Sequence, residues 1–512
     1  MNAQHDQVAD IVTRAPLRLW PDSQRVITKM FVPGEERPEH ESRSAAVIRR
    51  VMALDEETVR DALRRTMRLF EGRHRHLENT FSEHFDSVSH RLSRETELSP
   101  QRRLLIGAYF THEYSVESAA LCNPSMVTHP DQSGLAPGQV RFVMSVRAVG
   151  EGHLSSIEFR TGVIDHGGQL QVDTPRRFVT TGRSHPPVYE RALFEGKLAE
   201  FGHDDEICAV LHRRLPAQFT GAELEEMLDA LHPQLLARQE AHRTIERIHW
   251  IAACNYVSEF PPDTTISERV LWPAGPAERH GMEDARFVRF AEDDGTRTYY
   301  ATYTAFDGGT VAPQLVETQD FRTFHISQLT GSAARNKGMA LFPRRVGHRF
   351  MALSRGDGES TAIVASDDIR SWGQPRTLQT PDRAWELIQV GNCGSPIETT
   401  EGWLVLTHGV GPMRVYSVGA LLLDLDHPQQ VLAALPDPLL SANAVDRDGY
   451  VPNVVYSCGG LLHENILVIP YGASDTTIGI ATVPLTELLN RMVPAPRPRP
   501  GRPRRPGRRS AW

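Results

Sequence analysis

The chain has 512 residues, 40% hydrophobic and 23% charged, which excludes a disordered, collagen-like or coiled-coil protein and leaves room for two or three domains with sizeable cores. Against 56 basic residues stand 64 acidic ones, and the net charge of −8 is unevenly spread: Arg497, Arg499, Arg502, Arg504, Arg505, Arg508 and Arg509 follow Pro494 without an acid, so the residues before them sum to −15 and make a poor surface for duplex nucleic acid. Cys122, Cys208, Cys254, Cys393 and Cys458 form no CxxC pair, so neither zinc nor thioredoxin chemistry is expected, and a reducing cytoplasm is the expected compartment.

The start, Met1-Asn2-Ala3-Gln4-His5-Asp6, lacks a basic and apolar leader, and no run reaches 18 uncharged apolar residues, so neither secretion nor membrane spanning is expected. Over residues 55–93 Val59, Leu63, Met67 and Phe70 recur at spacings of four, four and three, the apolar stripe of a helix that leaves Arg60, Arg64, Arg65 and Arg68 on other faces. A second helical block follows Thr220, where Thr220-x-x-Glu223 fits a capping box and Leu224, Leu228, Leu231 and Leu235 continue a stripe that Pro233 should kink or split. Both blocks read as packing elements, and their shared amphipathic character suggests that they pack together as a cap.

The remainder is strand-like and repetitive. Arg141-Phe-Val-Met-Ser-Val-Arg147, Tyr299-Tyr-Ala-Thr-Tyr-Thr304, Arg349-Phe-Met-Ala-Leu-Ser-Arg355, Gly402-Trp-Leu-Val-Leu-Thr-His408 and Asn465-Ile-Leu-Val-Ile-Pro-Tyr471 share one design, a buried strand ending in a polar or aromatic side chain. A second phrase, Thr318-Gln-Asp320-Phe-Arg322-Thr-Phe324, returns as Ser366-Asp-Asp368-Ile-Arg370-Ser-Trp372. Repeats of this length built from short strands predict a mainly β protein, a five-bladed β-propeller with N-terminal and inserted α-helical segments. The expected division is an N-terminal, largely helical extension over 1–119, the propeller over 120–490 with its helical insertion at about 190–255, and a disordered Arg- and Pro-rich tail over 491–512. Inward-pointing strand ends would bring Arg147, Thr304, Arg355, His408 and Tyr471 together in a polar funnel suited to a hydroxyl-rich ligand.

Within this frame, Gly281-Met-Glu283-Asp284-Ala-Arg286 sets two adjacent carboxylates beside an arginine, which either gives one of them an altered proton affinity, as general acid chemistry needs, or is a loop ion pair. Asn336-Lys337, before an apolar strand start, can hold phosphate as a point charge or be a solvated basic turn. His408-Gly409 and Tyr471-Gly-Ala-Ser-Asp475 each place a polar side chain near glycine, where backbone can approach a substrate. There is no GxSxG, HExxH or GxGxxG element, and no metal constellation or cofactor is expected.

Taken in order, these motifs resemble the mannoside phosphorylases and β-mannosidases of glycoside hydrolase family 130. The resemblance is carried by Asn123-Pro-Ser125, Gly281 to Arg286, Asn336-Lys337 through Phe342-Pro343, Pro396-Ile397, Gly402-Trp403-Leu404 with His408-Gly409, Leu421-Leu-Leu-Asp424, Gly449-Tyr-Val-Pro-Asn453 and Tyr471 to Asp475, and covers roughly residues 120–490. It implies a five-bladed propeller that cuts a β-mannosidic bond with inversion, most often with inorganic phosphate as co-substrate and α-mannose 1-phosphate as product. Phosphate arrives as a charged nucleophile, so one carboxylic acid suffices where an inverting hydrolase needs a second as base.

By resemblance Asp284 is the proton donor, with Glu283 and Arg286 as its local partners. Lys337, His408 and Asp475 line the phosphate side, and Asn123 and Arg147 contact the mannose. A β-mannosidase using water at the same site and a non-catalytic glycan-binding propeller are the alternatives. The implied partner is a small carbohydrate, not nucleic acid or a membrane, and a homo-oligomer is compatible with it. The N-terminal 120 residues and the helical insertion lie outside the family pattern, so the acceptor side of the pocket does not carry over.

Overall fold

The computed structural model describes residues 9–34, 42–93 and 97–495, so from residue 496 the Arg- and Pro-rich stretch expected to be disordered lies outside the described residues. The protein is mainly β, and five antiparallel four-stranded meanders follow one another along the chain. The first comprises Ala120–Thr128, Val140–Val149, Ser155–Ile164 and Leu170–Val172, and the second Gly281–Ala291, Arg297–Phe306, Val311–Thr318 and Thr323–Gln328. Ala340–Leu341, Phe350–Ser354, Thr361–Ser366 and Arg376–Gln379 form the third, and Gln389–Asn392, Trp403–Val410, Tyr416–Leu423 and Val431–Ala434 the fourth. The fifth takes Val455–Tyr456, Ile466–Ala473 and Thr477–Pro484 from one end of the chain and Thr13–Leu19 from the other.

The five repeated strand phrases are the second strands of these meanders. They are buried on both faces, which is why each reads as a continuous apolar run. The second repeated phrase is the turn between third and fourth strands. Asp320 Oδ1 accepts from the Arg322 and Thr323 amides at 2.8 and 2.9 Å, and Asp368 Oδ1 from the Arg370 amide at 2.9 Å, so an aspartate reverses the chain in both copies.

Each meander shares an apolar core with the next. Phe159 packs with Phe287, Phe290 with Phe350, Phe342 with Trp403 and Leu406 with Ile469, while Leu121 and Met126 of the first meet Val468 and Ile480 of the fifth. The first two are also joined into a twelve-stranded sheet where Gly281 pairs with Ser155. At φ 130° and with Ser155 N only 2.8 Å from where a Cβ would sit, position 281 accepts glycine alone.

The helices form two units with separate cores. In the N-terminal one, Arg43–Met52, Glu56–Phe70, Leu77–Val88 and Pro100–Tyr109 gather around Phe81, Phe85 and Ile106. In the insertion, five helices between Arg191 and Ala253 surround Leu198, Leu211 and Ile248. The expected common cap is therefore not what forms, because each stripe is covered within its own unit. The Thr220–Glu223 capping box is present, and Pro233 splits the stripe by starting a new helix, Pro233–Leu236. No helix among the described residues is long and apolar enough to cross a membrane.

The extension expected over 1–119 also holds the strand Thr13–Leu19. Pro16 lacks an amide hydrogen and coincides with the irregular register between Arg14 and Arg18, which hides the alternation of an edge strand. From this strand Arg14 and Arg18 both pair with the buried carboxylate of Asp446, Arg18 Nη2 at 2.6 Å, and Arg14 Nη2 donates to the Ser441 carbonyl at 2.6 Å. Removing the shared carboxylate leaves two half-buried guanidinium groups without their counter-ion. Asp446→Asn should therefore lower the unfolding free energy by about 2–3 kcal/mol, read as a fall in the urea midpoint, whereas a change below about 0.5 kcal/mol would mean that the strand is held by its backbone ladder alone.

Candidate active site

The turns joining second to third strands fall at 150–154, 307–310, 355–360, 411–415 and 474–476, each just beyond a second strand. Because the meanders share one direction of winding, these turns and the strand ends carrying Arg147, Arg355 and His408 belong to the same side of the sheets. Backbone strain concentrates there. Of twelve described non-glycine residues with positive φ, nine belong to this region: Asn123, His153, Asp284, Asn336, Met413, Arg414, Asn453, Ser474 and Asp475. Such conformations cost on the order of 1–3 kcal/mol each and persist only where packing over-determines them, as at functional sites.

Two bulges set the central side chains. Between Cys122 and Ser125 the first strand of the first meander spans three steps against two on its partner, and between Glu283 and Arg286 the first strand of the second meander does the same. The extra residue breaks the strict in-out alternation and leaves Asn123 and Asp284 in the left-handed region, at φ 49° and 57°. Asn and Asp tolerate that region better than other side chains, and Pro124, which has no amide hydrogen, is accommodated at the bulge.

The two bulges meet. Asn123 Nδ2 donates to Asp284 Oδ1 at 2.7 Å, and Arg147 forks across the neighbouring acids, Nη2 to Glu283 Oε1 at 2.8 Å and Nη1 to Asp284 Oδ1 at 3.3 Å. Arg147 is itself held by Nε donating to Ser155 Oγ at 2.9 Å. Lys337 Nζ donates to Glu283 Oε2 at 2.5 Å. Arg286, only 2% exposed, donates through Nη1 to the Asp284 carbonyl at 3.0 Å and through Nη2 to the Tyr456 hydroxyl at 2.7 Å, and its Nε is buried without a partner. Arg355 Nη1 donates to His408 Nε2 at 2.9 Å, its Nε likewise unpartnered, and the His408 ring lies edge-on to Tyr456 with centroids 4.9 Å apart. Among the described residues neither Arg286 nor Arg355 has a carboxylate within salt-bridge distance, so the two guanidinium groups that act on His408 have only neutral acceptors.

Burial alone would raise the Asp284 carboxyl. The Arg147 and Arg286 guanidinium groups, the Asn123 amide and the Lys337 ammonium together overcome it and hold Asp284 below the usual carboxylate range. Asp475 moves the other way, pushed up to about 6 by burial and by the Asp284 charge, against the pull of Arg147 and Arg414. Burial, then Arg355 and Arg286, hold His408 well below its usual value, which makes it the neutral acceptor its bond from Arg355 requires.

Of the residues expected from sequence, Asn123, Arg147, Glu283, Asp284 and Lys337 are thus bonded into one cluster, with Arg286 attached through the Asp284 backbone. Asp475 is electrostatically coupled to it. His408 joins through Arg355 rather than as a free cation, and Lys337 is engaged by Glu283. Tyr471 stands apart, buried beneath Arg14 with its hydroxyl toward Asp446. Tyr456 escaped the reading because nothing distinguishes it within Val-Val-Tyr. Cys122, Cys393 and Cys458, scattered in sequence, converge on Arg286 and Asp284 as buried thiols, the Cys393 thiol pushed up to about 12 by burial.

Residues 261–493 match the family model described as beta-1,4-mannooligosaccharide phosphorylase. A 1,2-beta-oligomannan phosphorylase of Thermoanaerobacter sp. (strain X514) is 31% identical over 215 residues, 41% of this chain and 71% of that protein. A beta-1,2-mannobiose phosphorylase of Listeria innocua is 31% identical over 236 residues, 44% of this chain and 65% of that one. The solved structure of the beta-1,2-mannobiose phosphorylase from Listeria innocua in complex with beta-1,2-mannobiose aligns over 74% of this chain and 92% of its own, with a TM-score of 0.43 and 23% identity.

The raised proton affinity of Asp475 has a stability consequence. A carboxyl whose folded-state value stands at about 6 against an ordinary 3.8 favours the fold fully below 3.8, and that contribution is lost as pH rises through 6. Asp475→Asn cannot ionise, so it should stabilise the protein by about 2 kcal/mol at pH 7.5 and leave it nearly unchanged at pH 4, as measured by urea unfolding at both values. A loss of stability at pH 7.5 would show that the Asp475 charge is well partnered.

Proposed function

From the premise that the chain belongs to glycoside hydrolase family 130, we propose that it is an inverting β-mannoside phosphorylase, cleaving the β-mannosidic bond of a mannobioside or manno-oligosaccharide with inorganic phosphate to give α-mannose 1-phosphate. The five meanders, with apolar cores between successive ones and between the fifth and the first, support a five-bladed propeller as its scaffold. The free thiols suit the reducing cytoplasm in which we place it.

The observation that carries this reading is that Arg286 and Arg355, both acting on His408, have buried Nε atoms and no carboxylate partner among the described residues. Water as a nucleophile needs no such field, whereas a phosphate dianion must replace its hydration with fixed donors. Arg286 and Arg355 are the main phosphate ligands in this reading. His408 and Tyr456 orient them, and Lys337 adds its charge from its seat on Glu283. Asn123, Arg147 and Glu283 position the mannose beside Asp284.

A phosphate oxygen attacks the anomeric carbon from the face opposite the leaving group. The bond to the glycosidic oxygen breaks, and that oxygen takes the proton of Asp284. The surrounding cations by themselves keep Asp284 ionised. Phosphate offsets those same charges, so its arrival raises the proton affinity of Asp284 and supplies the acid when the nucleophile is present. Hydrolysis is the second reading. It is favoured by Asp475, a second buried carboxyl coupled to Asp284 that is ionised above about pH 6 and able to serve as base toward water.

Incubating mannobiosides with and without phosphate separates the two, phosphorolysis giving sugar phosphate only when phosphate is supplied and hydrolysis giving free mannose without it. Asp284→Asn should lower turnover by about 100- to 10,000-fold with the fold intact. Arg355→Ala should raise the KM for phosphate about tenfold or more while changing that for the mannoside little. The basic limb of the pH profile should move to higher pH as phosphate approaches saturation. A limb fixed at one pH would show that phosphate and the Asp284 proton are not linked.

A further inference from the structure

One aromatic pair stands beside the turn that carries Asp475. Tyr450 is 59% exposed and stacks on the exposed His153, ring centroids 5.6 Å apart and planes 27° from parallel, with its hydroxyl 3.4 Å from His153 Nδ1. The pair is anchored to the site on both sides. The Tyr450 amide donates to Thr476 Oγ1 at 2.8 Å and the Val451 amide to the Ser474 carbonyl at 2.9 Å, which ties the ring to the turn carrying Asp475. His153 lies two residues before Ser155, whose hydroxyl holds Arg147. Near the same aspartate is Arg414, next to Met413, which is 88% exposed. His153, Met413, Arg414 and Asp475 all sit in strained left-handed backbone, so these turns are held in a costly shape.

A tyrosine fixed by its neighbours yet open to water offers an apolar face with a polar tip, the surface on which the C–H face of a pyranose ring lies. Arg414, close to Asp475, supplies guanidinium donors for neutral hydroxyls. We infer that Tyr450, backed by His153, is the platform for the acceptor sugar, a neutral hexopyranose, with Arg414 holding its hydroxyls; that this ring is the one leaving with the Asp284 proton rests on the phosphorylase reading. His153 falls outside residues 261–493, so acceptor choice draws on a part of the chain that the family model does not match.

The test uses the full chain in the synthetic direction, with α-mannose 1-phosphate as donor and mannose, glucose or N-acetylglucosamine as acceptor. Tyr450→Ala should raise the acceptor KM about tenfold and leave the KM for α-mannose 1-phosphate within twofold, while Tyr450→Phe, which keeps the ring, should restore the acceptor KM to within about threefold of wild type. Saturation-transfer NMR with the same free sugars should show contact to wild type that Tyr450→Ala loses. Acceptor contacts at Tyr450 in a protein that makes no sugar phosphate would sink the phosphorylase reading and keep the platform. Turnover with an acceptor KM unchanged in Tyr450→Ala would overturn the platform and keep the reading.

Discussion

More positive charge converges on the centre of this molecule than its own carboxylates neutralise. Arg147 and Lys337 are matched by Glu283 and Asp284, but Arg286 and Arg355 rest on a backbone carbonyl, a phenol and an imidazole. A buried guanidinium on neutral acceptors alone is costly, and it stays in place only because the surrounding strands fix its acceptors. The imbalance bears on the rest of the site: Arg286 joins Arg147 in holding Asp284 ionised, and both unmatched guanidinium groups add to burial in keeping His408 neutral. Backbone strain adds to the demand, since the bulges that present Asn123 and Asp284 and the turns around Met413 and Asp475 are held in left-handed conformations. The five apolar cores between meanders supply the rigidity that these local penalties require.

What could be read from the chain alone follows from how far each interaction reaches along it. Strands buried on both faces declare themselves as apolar runs, and an aspartate that bonds amides two and three residues on leaves a local phrase that recurs with the repeat. The capping box at Thr220 and Glu223 is equally local. The acid cluster was legible because Glu283, Asp284 and Arg286 are neighbours in sequence.

Contacts between distant segments left no such trace. Arg14 and Asp446 are separated by 432 residues, and no periodicity links them. That His408 would be neutral depended on burial and on Arg355 from another meander, and that Lys337 would be engaged depended on Glu283, 54 residues before it. The convergence of Cys122, Cys393 and Cys458 is a product of winding three sheets onto one centre. The supposed helical cap failed for a related reason: amphipathic stripes show that helices need cover, not which cover they find.

The strand Thr13–Leu19 completes a sheet whose other members begin at Val455, so the last meander needs the two extremes of the chain. During synthesis on the ribosome this segment emerges well before its partner, Thr477–Pro484, and waits for it. An unpaired edge strand in that interval invites pairing with other nascent chains. Its composition guards against this: Pro16 withholds an amide hydrogen and Arg14 and Arg18 repel a second copy of themselves until Asp446 is made. The residues that fasten the finished molecule are therefore also those that keep the growing one from fastening to its neighbours.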